Sequence, residues 1–133
     1  MNLIIAPSRN TPYIRIDSEI GLIRIEGKSS PENATSFYFP LIDRIKSIFS
    51  ENNEDISVEV ALHYFNTSSS KCLFNLFKAL NELENEIRNV SVSWIYEDYD
   101  EDMREAGEDY EDIFNLRFNY IEIDSRPERK MAV

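Results

Sequence analysis

Five small polar residues in a row, Asn66-Thr67-Ser68-Ser69-Ser70, are the part of this chain best suited to chemistry. They stand where a strand-like alternation stops and an amphipathic helical pattern begins. Side-chain oxygens at that point can cap the helix, because its first four N–H groups have no partner inside it. The same N–H groups, at the positive end of the helix dipole, also hold an anion well. A hydroxyl placed there can therefore receive a phosphate, adding about −1.5 to −2 charges, without loss of the fold. One residue suffices for a cap and five polar residues are present, so cap and switch both stand as readings. Phe74 lies about 100° from Leu73 on the helical wheel, off the apolar stripe and one turn beyond the cluster. An aromatic in that place fits a docking surface beside a modifiable hydroxyl.

Other residue types offer less. Nucleophilic catalysis needs a Ser, Thr or Cys beside a base, and the single histidine, His63, sits on a strand pattern with no second group at useful spacing. Cys72 falls one turn into the helical pattern at the margin of its apolar stripe. The dipole there can lower a thiol pKa, but a packing role accounts better for the position. Three widely spaced glycines cannot form a phosphate-cradling loop. Asp98, Asp100 and Asp102 match the opening of a calcium loop, yet its sixth position is Met103 in place of glycine. The chain is expected to be no enzyme, to bind no metal and to need no cofactor. Two alternatives to a switch remain on these residues: a constitutive interaction module, and a small-molecule- or calcium-binding domain.

The cluster is positioned by the elements on either side. Ile56, Val58, Val60, Leu62 and Tyr64 alternate as one face of a strand, with His63 on the other. Leu73, Leu76, Phe77, Leu80, Leu83 and Ile87 place a helix over 71–87. Upstream, residues 1–12 read as an irregular lead-in. Tyr13–Asp17 and Leu22–Glu26 form a hairpin, Gly27–Asn33 a loop, and Ala34–Phe49 a helix with Pro40 near its first turns. Downstream come a strand over Val90–Tyr96, a helix over Asp100–Phe114 and a strand over Leu116–Ile123. The order β-β-α-β-α-β-α-β predicts a single α/β domain over residues 1–123, its mixed sheet packed by three helices. Residues 124–133, with Arg126, Arg129 and Lys130, read as a frayed polar tail. The cluster and the acidic segment from Glu97 both follow parallel strands, so they are expected along one sheet edge, where partner sites gather.

Composition narrows the partner. The 133 residues carry 14 basic and 25 acidic side chains, a net charge of −11. Ten of the acids lie between Glu97 and Asp112, with Arg104 as the one base. Such a chain suits a protein partner with a basic surface and argues against nucleic acid. No stretch approaches the ~20 apolar residues of a membrane span, so no membrane insertion is expected. A lone cysteine suits the reducing cytoplasm.

Several short elements, taken in order, resemble the SiaC family of bacterial regulatory phosphoproteins, related in fold to anti-sigma-factor antagonists of the STAS class. They are Thr11-Pro12, then Gly27-x-Ser29-Ser30-Pro31-Glu32-Asn33 and Phe37-Tyr38-x-Pro40. Tyr64-x-Asn66-Thr67-Ser68-Ser69-x-Lys71, Trp94-x-Tyr96 and the acidic run to Gly107-Glu108 follow. The resemblance implies a partner-switching protein phosphorylated on Thr67, with Ser68 as the fallback, by a dedicated protein kinase. A metal-dependent (PP2C-type) phosphatase would reverse this. The unphosphorylated form would bind and activate a diguanylate cyclase, raising cyclic di-GMP and favouring biofilm formation. Partner contacts are expected at Asn66, Ser68, Ser69 and Phe74, and in the loop at Pro31, Glu32 and Asn33.

Overall fold

The structure is a computed structural model that describes residues 1–125. The expected order of strands and helices is found, preceded by one further strand: β1 (Asn2–Ile5), β2 (Tyr13–Asp17), β3 (Leu22–Ser29), α1 (Ala34–Phe49), β4 (Ile56–Phe65), α2 (Thr67–Leu83), β5 (Val90–Glu97), α3 (Glu101–Phe114) and β6 (Arg117–Ile123). They form one six-stranded sheet in the spatial order β1-β2-β3-β4-β5-β6. The first three strands are antiparallel, and β3 to β6 run parallel. Crossovers that always step to the next strand in the same direction, each right-handed, put all three helices on one face of the sheet.

That face is the core. Ile14, Ile16, Ile23, Ile25, Val58, Val60, Leu62, Val92 and Trp94 alternate inward along the strands. They meet Tyr38, Leu41 and Ile45 of α1, Leu73, Leu76, Phe77 and Leu80 of α2, and Met103, Tyr110 and Phe114 of α3. The opposite face carries Arg15, Asp17, Arg24 and Glu59, with Arg24 bridging to Glu26 and Glu59 at 3.4 and 3.0 Å.

Four expectations need correction. The supposed lead-in contains β1, whose short alternation gives little signal but which pairs with β2 from Asn2↔Asp17 to Ile5↔Ile14. The loop expected from Gly27 begins three residues later, because β3 continues to Ser29. Pro40 stands in the second turn of α1, on its exposed side, deeper than the first-turn position a missing N–H favours. The central helix starts and ends four residues earlier than its apolar stripe indicates, and Ile87 lies beyond it, 73% exposed.

The early end of α2 has a physical cause in Arg88. Its guanidinium is buried and donates to the carbonyls of Phe49 and Glu54, each at 2.8 Å, and to that of Asn52. It also stands over the Phe49 ring. The turn after α2 is organised around this cation, and the helix gives way to it.

One irregularity shapes the site. Between Gly27 and Lys28 the pairing of β3 with β4 slips, from Gly27↔Leu62 to Lys28↔Tyr64, leaving His63 as the extra residue. A bulge reverses the in-and-out alternation beyond it. Tyr64, expected on the inner face, is therefore turned out and 48% exposed, and Phe65 is turned toward the helices.

Candidate phosphoacceptor and adjoining groove

The hydroxyl cluster is the first turn of α2. Asn66 is its N-cap, with extended backbone, and its side-chain oxygen accepts the Ser69 N–H at 2.8 Å. Thr67, Ser68, Ser69 and Ser70 follow as the first four helical residues. Helical geometry separates them into two pairs. Ser69 is fully buried and Ser70 partly so, while Thr67 and Ser68 are exposed.

Both inward serines are held by neighbouring elements. The Ser29 hydroxyl, at the end of β3, donates to Ser69 Oγ at 2.8 Å and accepts from Tyr38 Oη at 2.5 Å. The Ser29 carbonyl accepts the Asn66 N–H at 3.0 Å. On the other side, Tyr110 of α3 donates to the Ser70 carbonyl at 2.8 Å, and its oxygen lies 3.1 Å from Ser70 Oγ. Burial pushes the Tyr38 hydroxyl up to about 12, against a smaller opposing effect of its bond to Ser29. Burial likewise raises Tyr110. Both phenols stay protonated and donating at neutral pH.

Ser29, Tyr38 and Tyr110 carry this arrangement, and sequence reasoning assigned none of them a role. Ser29 was legible in principle, since it shares the odd-numbered alternation of Ile23 and Ile25 and must point inward. Tyr110 lies on the α3 stripe, where its ring reads as core and its hydroxyl goes unnoticed.

The remaining expected residues divide. Phe74 is 38% exposed and rests against Phe114, with ring centroids 4.8 Å apart. Together with Phe65, Ser70, Lys71, Asn75, Ala106, Asp109, Tyr110 and Ile113 it lines a groove of about 490 Å³ between α2 and α3. In the β3–α1 loop, Pro31 is buried and Glu32 exposed. Asn33 is exposed and caps α1, its side-chain oxygen accepting the Ser36 N–H at 3.2 Å and the Thr35 hydroxyl at 2.7 Å. The loop and the cluster meet at one sheet edge through Ser29, and α3 reaches that edge through Tyr110.

The acidic segment is used structurally at its start. Asp100 caps α3 by accepting the Met103 N–H at 3.1 Å, and Glu101 and Asp102 occupy the favourable first turn. Among the described residues no group of three or more His, Cys, Asp or Glu is arranged to hold a metal ion. Cys72 is buried, which raises its thiol pKa, and His63 is exposed on β4. Among the described residues no helix is long and apolar enough to cross a membrane. Arg126, Arg129 and Lys130 of the expected tail lie outside the described residues.

An exposed hydroxyl pair thus stands on a braced helix start whose helix also lines the groove. Comparison supplies the class. The model of the SiaC family regulatory phosphoproteins matches residues 5–123, and the chain belongs to that family. It is a regulatory protein and not an enzyme. An uncharacterized protein of Pseudomonas aeruginosa (strain UCBPP-PA14) is 28% identical over 117 residues, covering 88% of this chain and 93% of that protein. Apo-SiaC from P. aeruginosa superposes with a TM-score of 0.83 at 26% identity, over 91% of this chain and 98% of the other. SiaC in its complex with the diguanylate cyclase SiaD, of which it is the activator, gives a TM-score of 0.84 at 26% identity, covering 91% and 99%.

Proposed function

We propose that this protein is a cytoplasmic partner switch of STAS-like fold, comprising residues 1–123, set by reversible phosphorylation of Thr67. A cognate protein kinase adds the phosphate and a PP2C-type phosphatase removes it. The unphosphorylated form binds and activates a diguanylate cyclase, and so raises cyclic di-GMP and promotes biofilm formation. The observation that carries the reading is the separation of the hydroxyl cluster. Ser69 and Ser70 are tied inward, and Thr67 is left exposed at the first position of α2. The Asn66 side chain occupies the Ser69 N–H, so the N–H groups of Thr67 and Ser68 remain directed at an incoming phosphate.

The effector surface in this reading is the α2–α3 groove with Phe74 at its centre. Thr67 precedes Phe74 by seven residues, which places the two within about 20° of each other on the same side of the helix. A phosphate on Thr67 then stands at the mouth of the groove. The cyclase as effector is supported by family membership and by the P. aeruginosa relative that activates SiaD. Ser68 is the alternative acceptor, and Glu32 and Asn33 are further contact candidates on the same edge.

Phosphopeptide mass spectrometry on protein from its native cell, with and without the phosphatase gene, tests the modification. Phosphate on Thr67 that accumulates without the phosphatase is the expected result. Absence of phosphate from Thr67 and Ser68 in both samples ends the switch reading in favour of a constitutive interaction module.

A further inference from the structure

The groove between α2 and α3 has walls of opposite charge. Along α3, residues 101–114 carry seven acids and one arginine, and Asp109 lines the groove itself. On α2 the charge that lines the groove is Lys71, whereas Lys78 and Glu82 line a separate depression against α1. The floor between them is apolar, formed by Phe65, Phe74, Ala106 and Ile113.

We infer that this groove takes an amphipathic helix of the partner protein, apolar along its seam, Lys/Arg-bearing on the flank along α3, and acidic on the flank along α2. The inference rests on the partner-switching reading and specifies the chemistry of the surface that the partner brings. Three considerations select this occupant. Both walls are helices whose backbone groups bond internally, so an added strand would find no ladder here, whereas a third helix can seat its ridge between two others. A second copy of this chain, also at −11, is repelled before it docks. Opposite charges on the two walls fix the direction in which a helix with unlike flanks lies, as flanking charges do in coiled coils.

The same polarity explains how a phosphate acts. Thr67 precedes Lys71 by four residues, so the two are neighbours on one helical face. A phosphate of about −1.5 to −2 beside a single ammonium reverses the sign of the α2 wall. The acidic flank of the partner, attracted before, is then repelled, and the α3 wall is unchanged.

The test uses the full-length chain and the purified diguanylate cyclase of the same cell, with affinities measured by titration calorimetry. Ile113→Asp and Lys71→Glu should each weaken binding at least tenfold, and Ile20→Asp at the distant β2–β3 turn should not. Phosphorylation of Thr67 should cost less affinity in the Lys71→Glu background than in the wild type, because the wall is already reversed. Hydrogen exchange on the cyclase should show protection over one helix. Groove variants with unchanged circular dichroism and wild-type affinity would overturn the inference while the effector reading stands. So would protection on a cyclase strand or loop, or self-association of this chain that Ile113→Asp abolishes. A wild-type chain that binds the cyclase in neither phosphorylation state overturns the effector reading and the inference together.

Discussion

Gly107 of α3 lies so close to Trp94 of β5 that a methyl group on the glycine would sit 2.7 Å from the indole Cδ1 and 2.8 Å from Nε1. A glycine inside a helix ordinarily costs about 0.5–1 kcal/mol relative to alanine. Here the missing side chain lets α3 settle onto the sheet, and the indole N–H then donates to the Met103 carbonyl at 2.8 Å.

Gly107→Ala is therefore expected to destabilise the fold, against the usual helical preference, by about 1–3 kcal/mol from overpacking. It should also lift α3 and lengthen the Tyr110–Ser70 contact. Chemical denaturation gives the first quantity, and hydrogen exchange at the start of α2 reports the second. An alanine variant as stable as the wild type would show that the indole gives way at no cost.

Ser29 joins three elements through one hydroxyl, and Ser29→Ala removes the partner of a buried Tyr38 phenol and of Ser69. Leaving buried polar groups unpaired costs about 1–3 kcal/mol. The loss should appear in urea unfolding, with faster amide exchange confined to the first turn of α2 and the start of α1. Ser29→Thr, which keeps the hydroxyl, should recover part of it.

Alkaline pH offers a separate check on the same cluster. Tyr38 titrates near 10 when unfolded and about 12 when folded, so the native state binds its proton more tightly. The resulting stability is complete below about pH 10 and is lost as the pH rises toward 12. Two pKa units correspond to about 2–3 kcal/mol at most. Unfolding midpoints measured at pH 9 and 11 should fall less for Tyr38→Phe than for the wild type. Parallel slopes would refute the assignment.

The cap and the proposed acceptor can be told apart by substitution. Asn66→Ala should cost about 1 kcal/mol, because its oxygen holds the Ser69 N–H. Thr67→Ala, at an exposed first-turn position, should stay within about 0.5 kcal/mol of the wild type. It should also resist the kinase and keep effector binding. Thr67→Asp should fold normally and bind the effector more weakly. A destabilised Thr67→Ala with an unaffected Asn66→Ala would exchange the two roles.

Much of this was legible in the residues. Period-two runs at Tyr13–Asp17, Leu22–Glu26 and Val90–Tyr96 found their strands, and the 3.6-residue stripe of Leu73, Leu76, Phe77 and Leu80 found α2. The cluster at the head of α2 was recognisable because polar residues there answer a fixed need of helix starts. What escaped depended on distant partners. The bulge at His63 reverses Tyr64 and Phe65 through pairing with Gly27 and Lys28, which no local pattern encodes. Arg88 ends α2 by reaching carbonyls more than thirty residues away. The Ser29–Ser69 contact spans forty residues, and hydroxyls that meet inside a core leave no periodic trace.

The sequential order of the sheet bears on how the chain is made. Every strand pairs only with the strands just before and after it. Each new βα unit can therefore dock on a surface already formed, and no strand waits for a distant partner to emerge from the ribosome. Topologies whose contacts stay near in sequence fold faster, because less loop entropy is lost before pairing is rewarded. The braces around Thr67 are completed in the same order, Ser29 and Tyr38 first and Tyr110 last. A nascent chain thus presents a fully held start of α2 only after α3 has been synthesised, so the proposed phosphorylation of Thr67 would act on finished domains and not on partial ones.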